Sequence, residues 1–158
     1  MQNFIITSDE WFVEWEENRR LTRKVIEAFP EKELFSYSIG GMRTFAELVG
    51  ELIQLAVEGT QQLAENKPFP LDRNKRDFGK TKAELLNSWD KATEQIAENW
   101  KKIPQEMFRQ RINIYGKLDF MGWKDLLYFY ENEIHHRGQG YVYLRSLGIE
   151  PPSFVDRS

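Results

Sequence analysis

The chain has 158 residues, is 41% hydrophobic and 30% charged, and carries a formal net charge of -3. This is the composition of a globular protein most simply organised as one domain, 1–158, large enough to bury a core without staples. The acidic balance supplies no basic field for nucleic acid. The absence of cysteine removes disulfides, zinc–thiolate sites, iron–sulfur clusters and cysteine catalysis.

No apolar run approaches the ~20 residues of a membrane-spanning helix, so no membrane is expected as a partner. The N-terminal MQNFIITSDEWF lacks a basic region, a long apolar stretch and a small-residue cleavage site, so no secretory leader is expected. Together these readings point to a reducing, cytoplasmic location. Aromatics make up 14%, with five tryptophans. They are expected to fill the core and to line a cleft or interface.

Helical periodicity marks a first helix from TSDE, where Thr7 and Glu10 have capping-box spacing. Trp11, Trp15, Leu21, Val25 and Ile26 form its stripe, and Pro30 ends it by Phe29. A second helix starts at TFAE, with Thr44 and Glu47, and runs to about Asn66. Its stripe is Phe45, Leu48, Val49, Leu52, Leu55 and Ala56. A third starts at TKAE, Thr81 to Glu84, and reaches about Lys102 through Leu85, Trp89, Ile96 and Trp100. The segment 103–121 is less helical, and RINIYGKLDF around Gly116 reads as a short hairpin.

The last helix starts near Gly122 or Trp123 and stops at GIEPP, with Gly148 before Pro151 and Pro152. Leu126, Leu127, Tyr130, Ile134, Tyr141 and Leu144 mark its expected core face. The fold class is therefore all-α, a four-helix bundle with long connections at 30–43 and 67–80. FGKT at 78–81 lacks the first glycine and the preceding strand of a phosphate loop. The basic stretch around it, with Arg73, Lys75, Arg76, Lys80 and Lys82, reads as a solvated loop.

Both histidines of the chain, His135 and His136, lie in the last helix. Neighbours in a helix point about 100° apart, so they do not share one ion. His136 shares a side with Phe129, Asn132, Gln139 and Tyr143. On that spacing alone, His136 is either a hydrogen-bonded core residue or a ligand.

The segment EIHHRGQGYVYLRSLGIEPP resembles the C-terminal signature of the DinB-like bundle proteins, HExHHRGQ followed by YLR, LG and PP. MRTFAELVGEL resembles the second-helix pattern R-[ST]-F-x-E-L-x-x-H-[LI] of the same family. That superfamily includes metal-dependent bacillithiol and mycothiol transferases. The resemblance implies a DinB-like four-helix bundle with a divalent metal between helices, held by three histidines. It also implies a small-molecule substrate such as a thiol, and transferase or hydrolase chemistry.

The resemblance places those ligands on Glu51, Asn132 and His136, so one histidine of three is kept. Oxygen donors at the other two positions shift the preference from Zn²⁺ or Ni²⁺ toward Mn²⁺ or Mg²⁺. Three outcomes stay open: a working metal site, a degenerate cleft in which Glu51 pairs with His136 beside Asn132, and a site rescued by Glu131 or Glu133. His135, Glu133, Gln139, Arg137 and Tyr143 are the expected neighbours of the cleft. Arg137 is expected in a structural ion pair more than in anion recognition. Gly138 and Gly140 are expected where another helix or a ligand approaches closely. Aromatic-rich helices, with the pairing frequent in the family, lead to the expectation of a homodimer.

Overall fold

The computed structural model describes residues 5–158. Residues 1–4, the start of the stretch considered above as a leader, lie outside that range. The helices are α1 (Ser8–Ala28), α2 (Glu31–Ser36), α3 (Phe45–Glu65), α4 (Lys82–Trp100) and α5 (Gly122–Ser146). Strands β1 (Arg111–Ile114) and β2 (Leu118–Met121) precede α5. The fold is an all-α bundle with a short hairpin before the last helix. No helix among the described residues is long and apolar enough to cross a membrane.

All three capping boxes form. Thr7, Thr44 and Thr81 accept from the backbone of Glu10, Glu47 and Glu84, whose carboxylates return to the cap backbones. Each box satisfies two otherwise orphaned amides and sets where its helix begins. The long helices close a ring in which α4 and α5 each pack against both α1 and α3. One end of the core holds Phe29, Phe45, Leu52, Trp89 and Leu144. The other holds Trp15, Leu63, Ile96, Trp100, Ile112 and Phe129.

The structure adds α2 inside the 30–43 connection. Its six residues are too few to show periodicity, and Pro30 at its N-cap suits a helix start as well as a stop. The hairpin pairs Arg111 with Met121 and Ile114 with Leu118. Its turn puts Tyr115 at φ 59 and Gly116 at φ 67. A left-handed tyrosine is unusual. Here the ring is buried and the hydroxyl donates to the Leu55 carbonyl at 2.9 Å.

The expected core face of the last helix needs correction. Ile134 is 39% exposed, and Leu127, Tyr130 and Tyr141 are only partly buried. Leu126 and Leu144 are buried as expected, and Phe129, Glu133, His136, Arg137, Gly140 and Tyr143 are buried in place of the others. The reason is that α5 lies between α1 and α3, and polar groups on α1 receive Glu133 and Arg137.

Candidate functional site: the cleft between α3 and α5

Glu51 lies in the second turn of α3, and Asn132 and His136 lie one turn apart on α5. The i, i+4 relation puts the last two on one side of the helix. The structure brings all three together. His136 Nε2 is 3.3 Å from Glu51 Oε1, and Asn132 Nδ2 donates to the same oxygen at 3.5 Å. His136 Nδ1 faces Gln139 Oε1 at 2.6 Å, and Gln139 Nε2 reaches the sulfur of Met42 at 3.3 Å.

Two cations complete the cluster. Arg43, just before α3, donates to Glu51 Oε2 at 2.6 Å. Arg76, from the connection between α3 and α4, donates to the same oxygen at 3.0 Å and to Gln54 Oε1 at 2.8 Å. Arg76 gets there because Gly50 lets the loop lie on α3. A Cβ at Gly50 would meet the Arg76 carbonyl at 3.3 Å and the Phe78 ring at 3.4 Å. Arg76 is therefore no solvated loop residue, and its side chain is 18% exposed. Lys82 also leaves that reading, because its ammonium donates to the carbonyls of Glu27 and Phe29. Neither contact has a local sequence signal.

The hydrogen bond from His136, then Arg43 and Arg76, hold the Glu51 carboxyl well below the usual carboxylate range, against a burial that pushes it up. Tyr128, near Glu51 and Arg76, has its hydroxyl pushed up by burial and by the Glu51 charge. Tyr143 donates to the Arg43 carbonyl at 2.8 Å and fixes the approach to α3. His135 is exposed, with its ring centroid 5.0 Å from that of His136.

Glu133 and Arg137 do not belong to this cleft. Glu133 turns to the α1 flank and accepts from Thr22 at 2.6 Å and from Trp15 at 3.3 Å. Arg19 Nη1 lies 3.5 Å from it. Arg137 donates to Asn18 and Thr22. Glu133 does not join Glu51, Asn132 and His136 because its carboxylate is turned toward α1 and engaged there by Thr22, Trp15 and Arg19, and Glu131 is exposed.

The donors do not suit a divalent cation. Glu51 Oε2 is held by two guanidinium groups, and Glu51 Oε1 receives Asn132 through its amide nitrogen. A cation placed there would face Arg43 and Arg76 within one or two bond lengths of its only anionic ligand. No group of three or more His, Cys, Asp or Glu able to hold an ion occurs among the described residues.

Two cavities among the described residues bear on the site. One of about 360 Å³ is lined by Phe35, Thr44, Glu47, Arg76, Phe78 and Leu85, and so adjoins the charged cluster. The other, about 530 Å³, takes the surplus aromatics, with Trp11, Trp100, Phe108 and Trp123 in its wall. No curated protein matches the chain. A family model described as "DinB family" matches residues 1–157. With a bundle of this architecture and a match over essentially its whole length, the chain belongs to the DinB family.

Proposed function

We propose that this protein is a non-catalytic binding bundle of the DinB family, whose cleft between α3 and α5 takes a small anionic molecule in place of a metal ion. One observation carries this reading: Glu51, at the position the family resemblance gives to a metal ligand, is paired with both Arg43 and Arg76. Two guanidinium groups against one carboxylate leave the cluster cationic. Arg43 is 42% exposed on its side chain, so donors remain for a carboxylate or phosphate group. The neighbouring cavity beside Arg76 offers space for the apolar part of such a ligand. Metal-dependent thiol transfer, which the resemblance alone implies, needs a ligand set these residues do not supply.

The test is a titration of tag-free protein with Zn²⁺, Ni²⁺, Mn²⁺ and Mg²⁺, alongside elemental analysis of the purified chain. No stoichiometric metal is expected, whereas inorganic phosphate or a small carboxylate should bind and lose affinity in Arg43→Ala. Stoichiometric metal in the wild-type chain would overturn the reading. Glu51→His with Asn132→His should gain Zn²⁺ or Ni²⁺ affinity over the wild type. A folded double variant with no gain would mean that the three positions do not converge.

A further inference from the structure

The cavity of about 530 Å³ lies between the start of α1, the end of α4, the short turn Gln105–Arg109 and the start of α5. Leu126 lines it, ten residues before His136 on α5, which is about 15 Å along the helix axis. Its wall is an aromatic stack. The Trp11 and Trp100 rings stack with centroids 5.5 Å apart, Phe12 also stacks on Trp100 at 4.7 Å, and Phe108 meets Trp100 edge-on at 5.5 Å. Trp100 is buried in the core, so packing holds this wall in place. Trp123 is different. It stands in the first turn of α5, is 44% exposed, and pairs with none of these rings. Ile6, also exposed, lines the same cavity. Two large apolar side chains left in water at the mouth of an aromatic cavity mark a contact still to be made.

The charge of the wall narrows what that contact is. Among the described residues Arg109 is the one charged side chain that lines the cavity, and no carboxylate does. Arg109 is exposed and has no ion pair among the described residues. Glu10, close by in α1, is committed to the Thr7 cap. Trp15 and Trp89 donate their indole N–H groups within the chain, whereas those of Trp11 and Trp123 meet no acceptor among the described residues. The cavity thus offers flat apolar faces, free donors and a single positive charge at its mouth. Its complement is a planar apolar ring that carries one carboxylate. The ring stacks on the aromatic faces, and the carboxylate takes the guanidinium. The volume suits such a molecule, since small-molecule sites run from about 300 to 1,000 Å³.

We propose that this cavity is a second ligand site, specific for a small aromatic acid, with Arg109 binding the carboxylate and Trp123 covering the ring. The occupant is a small acid and not a macromolecule because four elements of one chain bound the apolar wall, and because the site carries one charge instead of a charged rim. The site shares no residue with the cleft between α3 and α5, so it stands or falls independently of the binding reading above.

Calorimetric titration of the intact chain with 2-naphthoate, 2-naphthamide and acetate decides the matter. 2-Naphthoate should bind saturably, with one site per chain. The amide keeps the ring and loses the charge, and should bind about tenfold or more weaker. Acetate, which lacks the ring, should give no saturable binding. Arg109→Gln should lower the affinity for 2-naphthoate to that for the amide and leave the amide unchanged. Trp123→Ala should weaken both ring ligands about tenfold. Both side chains are exposed, so each variant should keep the helical circular dichroism spectrum of the wild type. A wild type without saturable 2-naphthoate binding overturns the proposal, as it would if residues of this chain or a second copy closed the cavity. So does equal affinity for acid and amide, an Arg109→Gln variant that weakens both alike, or a Trp123→Ala variant that binds as the wild type does.

Discussion

On the α3 side of α5, Glu51 stands between Arg43 and Arg76, with 15% of its side chain exposed. On the α1 side, Glu133 stands among Arg19, Thr22 and Trp15, with Arg137 bound to Asn18 and Thr22 beside it. Glu133, Arg19 and Arg137 are each only 2% exposed. Both clusters set one carboxylate against two guanidinium groups. In the buried cluster water cannot replace a missing partner, so each polar group depends on the others. Arg19 is also stacked on Trp89, 3.9 Å from the ring centroid, and burial lowers the affinity of both guanidinium groups for their protons. In the cleft, solvent reaches Arg43 and screens the charges. The α1 flank thus ties its polar groups into the core, whereas the α3 flank keeps its charges within reach of solvent.

The largest effect is expected at Glu133. Glu133→Ala would leave Arg19 and Arg137 in the core without a carboxylate, and should cost ~3–5 kcal/mol in a denaturant titration. A cost as small as that of a surface ion pair would mean that the two clusters do not differ.

Asp125, by contrast with both clusters, is a buried carboxylate with no guanidinium beside it. It is 0% exposed and neither of its oxygens has a hydrogen-bond partner. Burial, with the Asp119 charge adding, pushes its carboxyl from the ordinary 3.8 up to about 7. The folded chain thus holds a proton that the unfolded chain has lost. Its contribution to stability is complete at low pH, falls as pH rises from about 4 to about 7, and levels off above that. Asp125→Asn should remove this fall and be more stable than the wild type above neutral pH, by a few kcal/mol at most, since each pKa unit is about 1.4 kcal/mol. Parallel pH–stability curves for the two proteins would contradict it.

The smallest effect belongs to Glu51. Glu51→Gln should cost about 1 kcal/mol or less near neutral pH and less still at high salt. The sign is opposite to that of Asp125. The Glu51 pKa is depressed in the folded chain, so its stabilisation is present above the ordinary carboxylate range and is lost as pH falls through and below it. Glu51→Gln should therefore flatten the acid limb of the stability curve, which pH-dependent urea unfolding reads directly.

Much of the bundle is legible in the sequence. The three capping boxes, the stripe of α3 and the stop after α5 rest on hydrogen bonds and periodicities that span a few residues, which local sequence determines by itself. The shared side of Asn132 and His136 is of the same kind. The partners of the charged groups were not readable. Arg76 reaches Glu51 across 25 residues, His136 reaches it across 85, and Arg19 reaches Glu133 across 114. Which carboxylate meets which guanidinium depends on how helices turn toward one another and on how closely a loop approaches Gly50. The left-handed Tyr115 and the burial of Glu133 in place of Ile134 are also tertiary decisions, because packing and hydrogen bonding to distant residues outweigh the local preference. The sequence by itself determined the four long helices and one side of the cleft, and the tertiary structure decided which ion pairs line it, because those partners come from distant parts of the chain.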